Sequence, residues 1–246
     1  MENTSYIALS RQMALWRKMD MVANNLANMN TGGYKGENAL FSEYLVPTRD
    51  TETRLPDKLA YTQDFGSYRD LSPGPVAQTG NALDFAIEGD GYFEIDDPAG
   101  PMYTRDGRFT LNADGMIVTD LGQALMDTNG RPLVVAPTET QISVTADGTV
   151  STENGTIGKI RLMTFDDPQA MQRVSGGLYD SGGQTARAVE TPQIRQGMVE
   201  GSNVNPMLEM TTMIDVQRAY EATTRILEQE NERQQRAYDV LSGAKT

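Results

Sequence analysis

Residues 205–243 read NPMLEMTTMIDVQRAYEATTRILEQENERQQRAYDVLSG. Asn205 suits the N-cap of a helix and Pro206 its first turn, so the sequence predicts one long helix over this segment. A stripe of residues spaced alternately by four and three runs through it for about four heptads, which is typical of a coiled coil. The predicted seam consists of Met213, Gln217, Tyr220, Thr224, Leu227, Asn231, Gln234, Tyr238 and Leu241.

This seam is unusually polar, and its polarity limits what the helix can do alone. Gln217 and Thr224 lower the stability of a coiled coil but specify its alignment, while Met210 and Ile214 broaden the apolar surface. We therefore expect the helix to pack on the N-terminal helix of the same chain and then on neighbouring subunits. A helix that packs only on its own globular domain is the alternative.

The N-terminal segment carries a second amphipathic pattern. Its apolar residues recur at the helical period, so the sequence predicts a helix over residues 5–30 that ends at Gly32 and Gly33. Asparagines, which favour caps and turns, lie near this end. We predict that they order the helix end and join a helix–helix contact; a frayed, solvated end is the alternative. The expected interface residues here are Leu15, Val22, Asn24, Asn25, Leu26 and Asn28.

Between the two helices the pattern changes to that of β-structure. Leu83, Phe85 and Ile87 recur at every second position, a period typical of strands. Asp-Gly and Asn-Gly dipeptides, which provide the positive φ angles of tight hairpins, then recur at Asp106-Gly107, Asp114-Gly115, Asn129-Gly130, Asp147-Gly148 and Asn154-Gly155. The sequence predicts an all-β domain over residues 81–199, an antiparallel sandwich or distorted barrel.

The predicted fold class is α+β. Residues 1–35 and 200–246 form a helical assembly domain in which the two helices pair as a coiled-coil-like layer, and the all-β domain is inserted between them. Residues 36–80 contain Pro47, Pro56, Pro73 and Pro75, so we expect an irregular, extended connector there. The apolar faces of the two terminal helices need a partner, so we expect this chain to assemble with other chains.

Composition excludes several classes of function. The formal net charge of −13 disfavours nucleic acid as a partner. Cysteine and histidine are both absent, which excludes disulfides, Cys/His zinc sites and histidine-dependent triads. Apolar runs are far shorter than the roughly 20 residues of a membrane-spanning helix, and the first residues lack the basic and apolar regions of a secretory signal. The sequence therefore predicts neither a membrane span nor a cleaved signal peptide.

An acidic cluster formed by Asp84, Glu88 and Asp90 keeps two other functions open. A carboxylate-based hydrolase and a calcium-binding or adhesin-like β module are the alternatives. The spacing does not match a calcium loop, and carboxylates beside hairpin glycines are usually turn formers. We predict no enzymatic activity, no catalytic residue, no metal site and no cofactor.

Four blocks of the sequence resemble the flagellar basal-body rod and hook proteins. The first is ANNLANMNTGGYK at residues 23–35, and the second is LDFAIEGDGYF at residues 83–93. The third is YTRDGRF at residues 103–109, followed by NADG at residues 112–115. The fourth is SNVN at residues 202–205, followed by QRAYEA at residues 217–222. Together they span nearly the whole chain in the family's order.

The resemblance implies a structural subunit of the flagellar rod. In this family the terminal helices line the inside of a hollow helical assembly that transmits torque, and the β domain packs outside them. The implied partners are other rod subunits, copies of the chain itself and the flagellar type III export apparatus, which uses no cleaved signal. The implied location is the periplasm-spanning rod of the basal body. Residues expected at the interface from the C-terminal segment are Asn203, Met210, Ile214, Gln217, Tyr220, Thr224 and Leu227.

The length of the chain and its first residues, Met1 to Ile7, favour a proximal-rod member of this family. A distal-rod member is the alternative.

Overall fold

A computed structural model describes residues 2–47, 58–137, 139 and 141–243, and the chain divides into two compact units. The helical unit comprises Met1–Ala27, Glu37–Arg69 and Asn205–Thr246. The β unit comprises Asn28–Gly36 and Asp70–Val204. The chain therefore passes between the units four times.

Two long helices form most of the helical unit. Helix α1 spans Glu2–Ala27 and helix α2 spans Pro206–Gly243, close to the predicted bounds. Asn205 caps α2 as expected, because its Oδ1 accepts hydrogen bonds from the backbone N–H groups of Met207 at 3.1 Å and Leu208 at 3.4 Å. The two helices pack against each other.

A long hairpin completes the helical unit and corrects the expected irregular connector. Strands β1 (Glu37–Pro47) and β2 (Lys58–Arg69) pair antiparallel along their whole length. Pro47 ends β1 instead of interrupting it, which suits a residue that lacks an N–H donor; Pro56 lies outside the described residues. A two-stranded ribbon is marginal by itself, and both strands pack on α1.

The β unit is built from short strands. They are β3 (Val76–Gln78), β4 (Phe85–Ile87), β5 (Tyr92–Asp97), β6 (Gly100–Thr104), β7 (Thr110–Leu111), β8 (Ile117–Val118), β9 (Ala124–Leu125), β10 (Ser143–Val144), β11 (Thr149–Thr152), β12 (Gly155–Lys159), β13 (Leu162–Thr164), β14 (Gln172–Arg173), β15 (Leu178–Asp180), β16 (Arg187–Ala188), β17 (Ile194–Gln196) and β18 (Met198–Glu200). Two single 3₁₀ turns, Pro168–Ala170 and Ser175–Gly177, lie between the later strands.

Every strand pair among the described residues is antiparallel. The largest sheet has nine strands, in which β14-β15-β6-β5-β9-β8-β7 are neighbours and β13 joins β5 to β16. Strands β10, β11 and β12 form a second sheet, and β17–β4 and β18–β3 form separate pairs. The prediction of an α+β fold with paired terminal helices and an inserted antiparallel β region is confirmed.

Aromatic and aliphatic side chains fill the core of the β unit. Phe85, Phe93 and Phe109 are fully buried and pack ring against ring, with 5.4 Å between the centroids of Phe93 and Phe109. Phe85 lies on β4, Phe93 on β5 and Phe109 just before β7, so this cluster ties the separate strand pair to the main sheet.

Glycine serves two purposes in the predicted turn dipeptides. Gly115, Gly130, Gly148 and Gly155 have positive φ angles, which other residues adopt only at a cost. Gly107 has no positive φ; instead, a Cβ at this position would lie 1.6 Å from the carbonyl oxygen of Phe85. The Asp106-Gly107 dipeptide therefore permits a close approach of two backbones.

Candidate assembly surface and the Glu200 cluster

Three contacts fix how the terminal helices pair. The Nε2 of Gln12 donates to Oγ1 of Thr224 at 3.2 Å, and the rings of Trp16 and Tyr220 lie 6.3 Å apart. Asn25 hydrogen-bonds the side chain of Glu209. Later residues of α1 contact earlier residues of α2, so the two helices are antiparallel.

The buried positions of α2 do not coincide with the whole predicted seam. Some of them precede a predicted seam residue by one position. Val216, Thr223 and Glu230 are buried at intervals of seven residues, while the predicted seam residue Gln217 is exposed. Valine is the better core residue of the neighbouring pair Val216 and Gln217, because burying a glutamine amide requires compensating hydrogen bonds. Glu230, the charged member of this row, pairs with Arg233 at 2.5 Å.

The outer faces of both helices carry exposed apolar side chains. On α1 they are Tyr6, Leu9, Met13 and Trp16, whose spacing of three and four forms one stripe. Met13 is 67% exposed, and Trp16, which lies at the edge of this stripe and also contacts Tyr220, is 56% exposed. On α2 the exposed apolar residues are Met207, Leu208, Met210, Ile214, Ile226, Tyr238 and Val240. We call these two sets the outer apolar faces; apolar surface of this kind is typical of an interaction site.

The expected interface residues lie at different depths. Val22 and Asn25 are buried; Leu15, Leu26, Asn28, Tyr220, Thr224 and Leu227 are half-buried; Asn24, Met210, Ile214 and Gln217 are exposed. The side chain of Leu241 lies outside the described residues. Asn203 belongs to the β unit and not to the helical unit.

Two of the asparagines hold the chain where α1 ends. Asn25 is 2% exposed; its Nδ2 donates to the carbonyl oxygen of Glu37 and its Oδ1 accepts from the N–H of Glu37, each at 2.9 Å. Asn28 lies in the β unit, where its Oδ1 accepts from Oγ1 of Thr31 at 3.1 Å. Burial raises the pKa of Glu209, although the hydrogen bond from Asn25 and the charge of Lys18 oppose this shift.

The β unit contains a buried ionic cluster around Glu200, which is 2% exposed. Its Oε1 accepts from Nζ of Lys35 at 2.5 Å and from the N–H of Gly74 at 3.0 Å, and its Oε2 accepts from Nε of Arg105 at 2.9 Å. Lys35 and Arg105 are buried as well. We call these residues, together with Asn203, the Glu200 cluster.

The remaining donors of the two cations in the Glu200 cluster bind backbone carbonyl oxygens. Lys35 donates to Ser72 at 2.8 Å, and the guanidinium of Arg105 donates to Gly91 and, at 2.6 Å, to Gly89. A buried ion pair is stable only when such additional hydrogen bonds satisfy its polar atoms. The cluster meets this condition.

In the Glu200 cluster, neighbouring charges and burial shift the pKa values of the side chains in opposite directions. Burial alone would raise the pKa of Glu200, but the charge of Arg105 and the hydrogen bonds from Lys35 and Gly74 hold it below the ordinary value. Burial lowers the pKa of Lys35, and the bond to Glu200 limits this shift. The carboxylate is therefore held ionised by its partners.

Asn203 joins the segments that border the β unit. Its Oδ1 accepts from the N–H of Gly36 at 2.8 Å, and its Nδ2 donates to the carbonyl oxygens of Asp70 at 2.9 Å and Ser72 at 3.1 Å. Its own N–H donates to the carbonyl oxygen of Tyr34 at 3.2 Å. Gly36, Asp70 and Asn203 therefore lie side by side.

The segment after α1 fits tightly into the β unit. Gly33 has a φ of +63°, and a Cβ on it would lie 2.4 Å from the carbonyl carbon of Arg105. The N–H of Gly33 donates to the carbonyl oxygen of Glu200 at 2.8 Å. Tyr34 is buried with the guanidinium of Arg173 at 4.1 Å from its ring centroid, a cation–π contact.

Two of the three acidic residues that suggested carboxylate or calcium chemistry have other partners. Asp84 is buried and accepts from Nδ2 of Asn81 at 2.9 Å, and Glu88 pairs with Arg195 at 2.7 Å. Within the described residues no group of three or more acidic side chains is arranged to hold a metal ion. Over the same residues no helix is long and apolar enough to cross a membrane.

Comparison with known proteins places these features in a family. Over 243 residues, which cover 98% of both chains, the sequence is 38% identical to the flagellar basal-body rod protein FlgF of Caulobacter vibrioides. The chain belongs to the flagellar basal-body rod protein family. This rod protein is also 37% identical to FlgF of Mesorhizobium japonicum over 93% of both chains. Its identity to the rod protein FlgG of Bacillus subtilis is 31%, over 90% of this chain and 92% of the relative.

Three family models match separate parts of this rod protein. Residues 6–35 match the flagella basal body rod protein model, and residues 86–152 match the flagellar hook protein FlgE/F/G D1 domain. Residues 195–240 match the C-terminal model of the flagellar basal body rod FlgEFG proteins. The first and last segments contain the outer apolar faces of α1 and α2 and two members of the ionic cluster, Lys35 and Glu200.

Proposed function

We propose that this rod protein is a subunit of the proximal rod and assembles through its terminal helices into a hollow helical axle that transmits torque. One observation carries the proposal: the helices already bury part of their surface against each other, and further large apolar side chains remain exposed on each. Burying these outer faces between subunits would contribute about 25 cal/mol per Å² of apolar surface.

The identities to curated relatives support the proximal position. The FlgF proteins of Caulobacter vibrioides and Mesorhizobium japonicum are 38% and 37% identical to the chain, against 31% for FlgG of Bacillus subtilis. The share of the chain covered is also larger for these two FlgF relatives than for this FlgG relative. The distal rod is the runner-up position for this subunit.

A torque-transmitting axle requires stiff, well-aligned subunits and no catalytic activity. Many long helices packed side by side resist bending, and polar residues such as Gln217 on their contact surfaces would set the alignment of neighbouring subunits. We infer a structural role without catalysis, and delivery of the subunit through the flagellar export apparatus. The partners are other rod subunits and further copies of this chain.

A pair of substitutions on the outer apolar faces tests assembly. Met13→Asp with Ile214→Asp places a charge on each helix at exposed positions, so the monomer should keep its fold while the subunit contact is lost. The control is Gln229→Asp with Gln235→Asp, which adds the same two negative charges at exposed polar positions of α2. Each variant is expressed in cells that lack the wild-type gene, and motility halos and isolated basal bodies are scored. Normal rods with the double variant would refute the proposed interface.

A further inference from the structure

We propose that Glu200 is a positioning residue for rod assembly, a role that rests on the function proposed above. Within the β unit, Glu200 binds segments of the chain that lead into the helical unit. Glu200 belongs to the β unit, whereas the outer apolar faces belong to the helical unit. Its effect on assembly is therefore indirect, through the places where the chain leaves the β unit.

The bonding of the Glu200 carboxylate gives the first argument. Its three donors come from three separate segments: Lys35 follows α1, Gly74 follows the β1–β2 hairpin, and Arg105 follows β6. Glu200 itself ends β18, shortly before α2. Two buried cations depend on this one carboxylate, so loss of its charge leaves both of them undercompensated.

The borders of the β unit give the second argument. The chain leaves or re-enters this unit next to Gly36, Asp70 and Val204. The amide of Asn203 bonds Gly36 and Asp70 directly, and Lys35 and Asn203 both donate to the carbonyl oxygen of Ser72. The Glu200 cluster thus gathers three of the four borders in one place; the fourth border lies between Ala27 and Asn28.

The location of the cluster gives the third argument. Lys35, Arg105, Glu200 and Asn203 all belong to the β unit, so the cluster does not require paired terminal helices. A subunit whose helices have not yet met their partners therefore keeps the starts of β1 and α2 and the end of β2 fixed with respect to one another. This arrangement reduces the conformational entropy that the chain loses on assembly.

Hydrogen exchange on the full-length chain tests this role with Glu200→Gln. The amides of Gly36 and Gly74 should exchange faster by about tenfold or more, while those of the core strands β5 and β9 keep their protection. In cells that lack the wild-type gene the variant should form few rods. The matched control is Glu94→Gln, which removes another buried carboxylate of the β unit from its partner Arg161 and should leave both Gly36 exchange and rod formation unchanged.

A second variant decides the question if Glu200→Gln does not fold. Asn203→Ala keeps every charge of the cluster and removes only the bonds to Gly36, Asp70 and Ser72. We expect faster exchange at Gly36, unchanged exchange at Gly74, which Glu200 still holds, and the same assembly defect. Normal rod formation with either folded variant would overturn the positioning role but not the proposed function, which the outer-face double variant tests separately. Faster exchange throughout the β core would also overturn it, because the effect would then be general destabilisation.

Discussion

Asn25 and Glu37 bond each other twice, through both groups of the Asn25 amide and both backbone polar groups of Glu37. The pair connects the last turn of α1 to the first residue of β1. Asn25→Ala should lower the free energy of unfolding of the helical unit by about 1–3 kcal/mol, because it leaves buried polar groups without these partners. Urea denaturation followed by circular dichroism at the helix band measures the change.

Two further variants refine this prediction. Asn25→Asp retains an acceptor for the N–H of Glu37, but it loses the donor to the carbonyl oxygen and places a buried carboxylate beside Glu209, so its cost near neutral pH should be at least that of alanine. Asn30→Ala changes an exposed asparagine beyond the helix and should stay within about 0.5 kcal/mol of wild type. Equal costs at positions 25 and 30 would contradict the structural role of Asn25.

Gly33→Ala should destabilise the β unit, because the new methyl group meets the backbone of Arg105 and the φ angle is left-handed. We expect a loss of about 2–5 kcal/mol in the free energy of unfolding. Gly122→Ala provides the control, since Gly122 also has a positive φ but open space around it, and should cost only about 1–2 kcal/mol. The difference between the two variants, from thermal or urea melts, isolates the steric contribution.

Val216 and Ile214 separate the stability of the monomer from assembly. Val216→Ala creates a cavity between α1 and α2 and should lower the stability of their pairing by about 1–3 kcal/mol. Ile214→Ala lies on the outer apolar face and should change monomer stability by only about 0.5 kcal/mol while reducing rod formation. Melting curves and counts of rods, taken on both variants, should show opposite rankings; the same ranking would argue against two distinct faces.

Trp16 offers an optical signal of assembly because it is the only tryptophan and is 56% exposed. Its fluorescence emission should shift to shorter wavelength when the outer face of α1 is covered by another subunit. The double variant Met13→Asp with Ile214→Asp should show no such shift at the same protein concentration. A spectrum that does not change in assembled wild-type protein would place Trp16 outside the subunit contact.

Acid should weaken the Glu200 cluster. The pKa of Glu200 is lower in the folded chain than its ordinary value, so its carboxylate stabilises the fold above that value and the contribution is lost as pH falls through the folded pKa. The stability difference between wild type and Glu200→Gln should therefore be largest near about pH 7 and shrink toward about pH 3. Urea midpoints across this range measure it; a difference that grows in acid would show the opposite linkage.

The terminal helices could be predicted from the sequence because their signals are local. Asn205 and Pro206 mark the start of α2, and heptad spacing marks its buried side. The spacing alone did not settle which of Val216 and Gln217 faces α1, since both positions continue a four-and-three pattern with Met213. The burial of Val216, beside an exposed Gln217, decides this in the structure.

The β1–β2 hairpin was missed because its stability comes from contacts distant in sequence. In the sequence, Pro47 and Pro56 resemble the prolines of an irregular loop, and a two-stranded ribbon needs the support that α1 supplies. An Asp-Gly or Asn-Gly turn, the strongest local hairpin signal, is absent between Pro47 and Lys58.

The Glu200 cluster was also missed, apart from Asn203, for a related reason. Lys35, Arg105 and Glu200 are far apart along the chain, and charged residues are usually exposed, so nothing local indicates that they meet. A useful signal was their position in blocks that resemble the family: Lys35 closes the first block, and Arg105 lies in the third. Glycines at positions 32 and 33 beside Lys35 pointed to a tight approach of backbones, although they were assigned to the end of a helix.

The adjacency of Asp70 and Asn203 makes residues 70–204, the larger segment of the β unit, an exchangeable cassette. A module whose incoming and outgoing strands emerge within hydrogen-bonding distance of each other adds no length to the chain it interrupts. Larger, smaller or differently decorated modules could therefore occupy this place while the surrounding scaffold keeps its spacing. The inserted module can then vary in evolution while the terminal helices are kept.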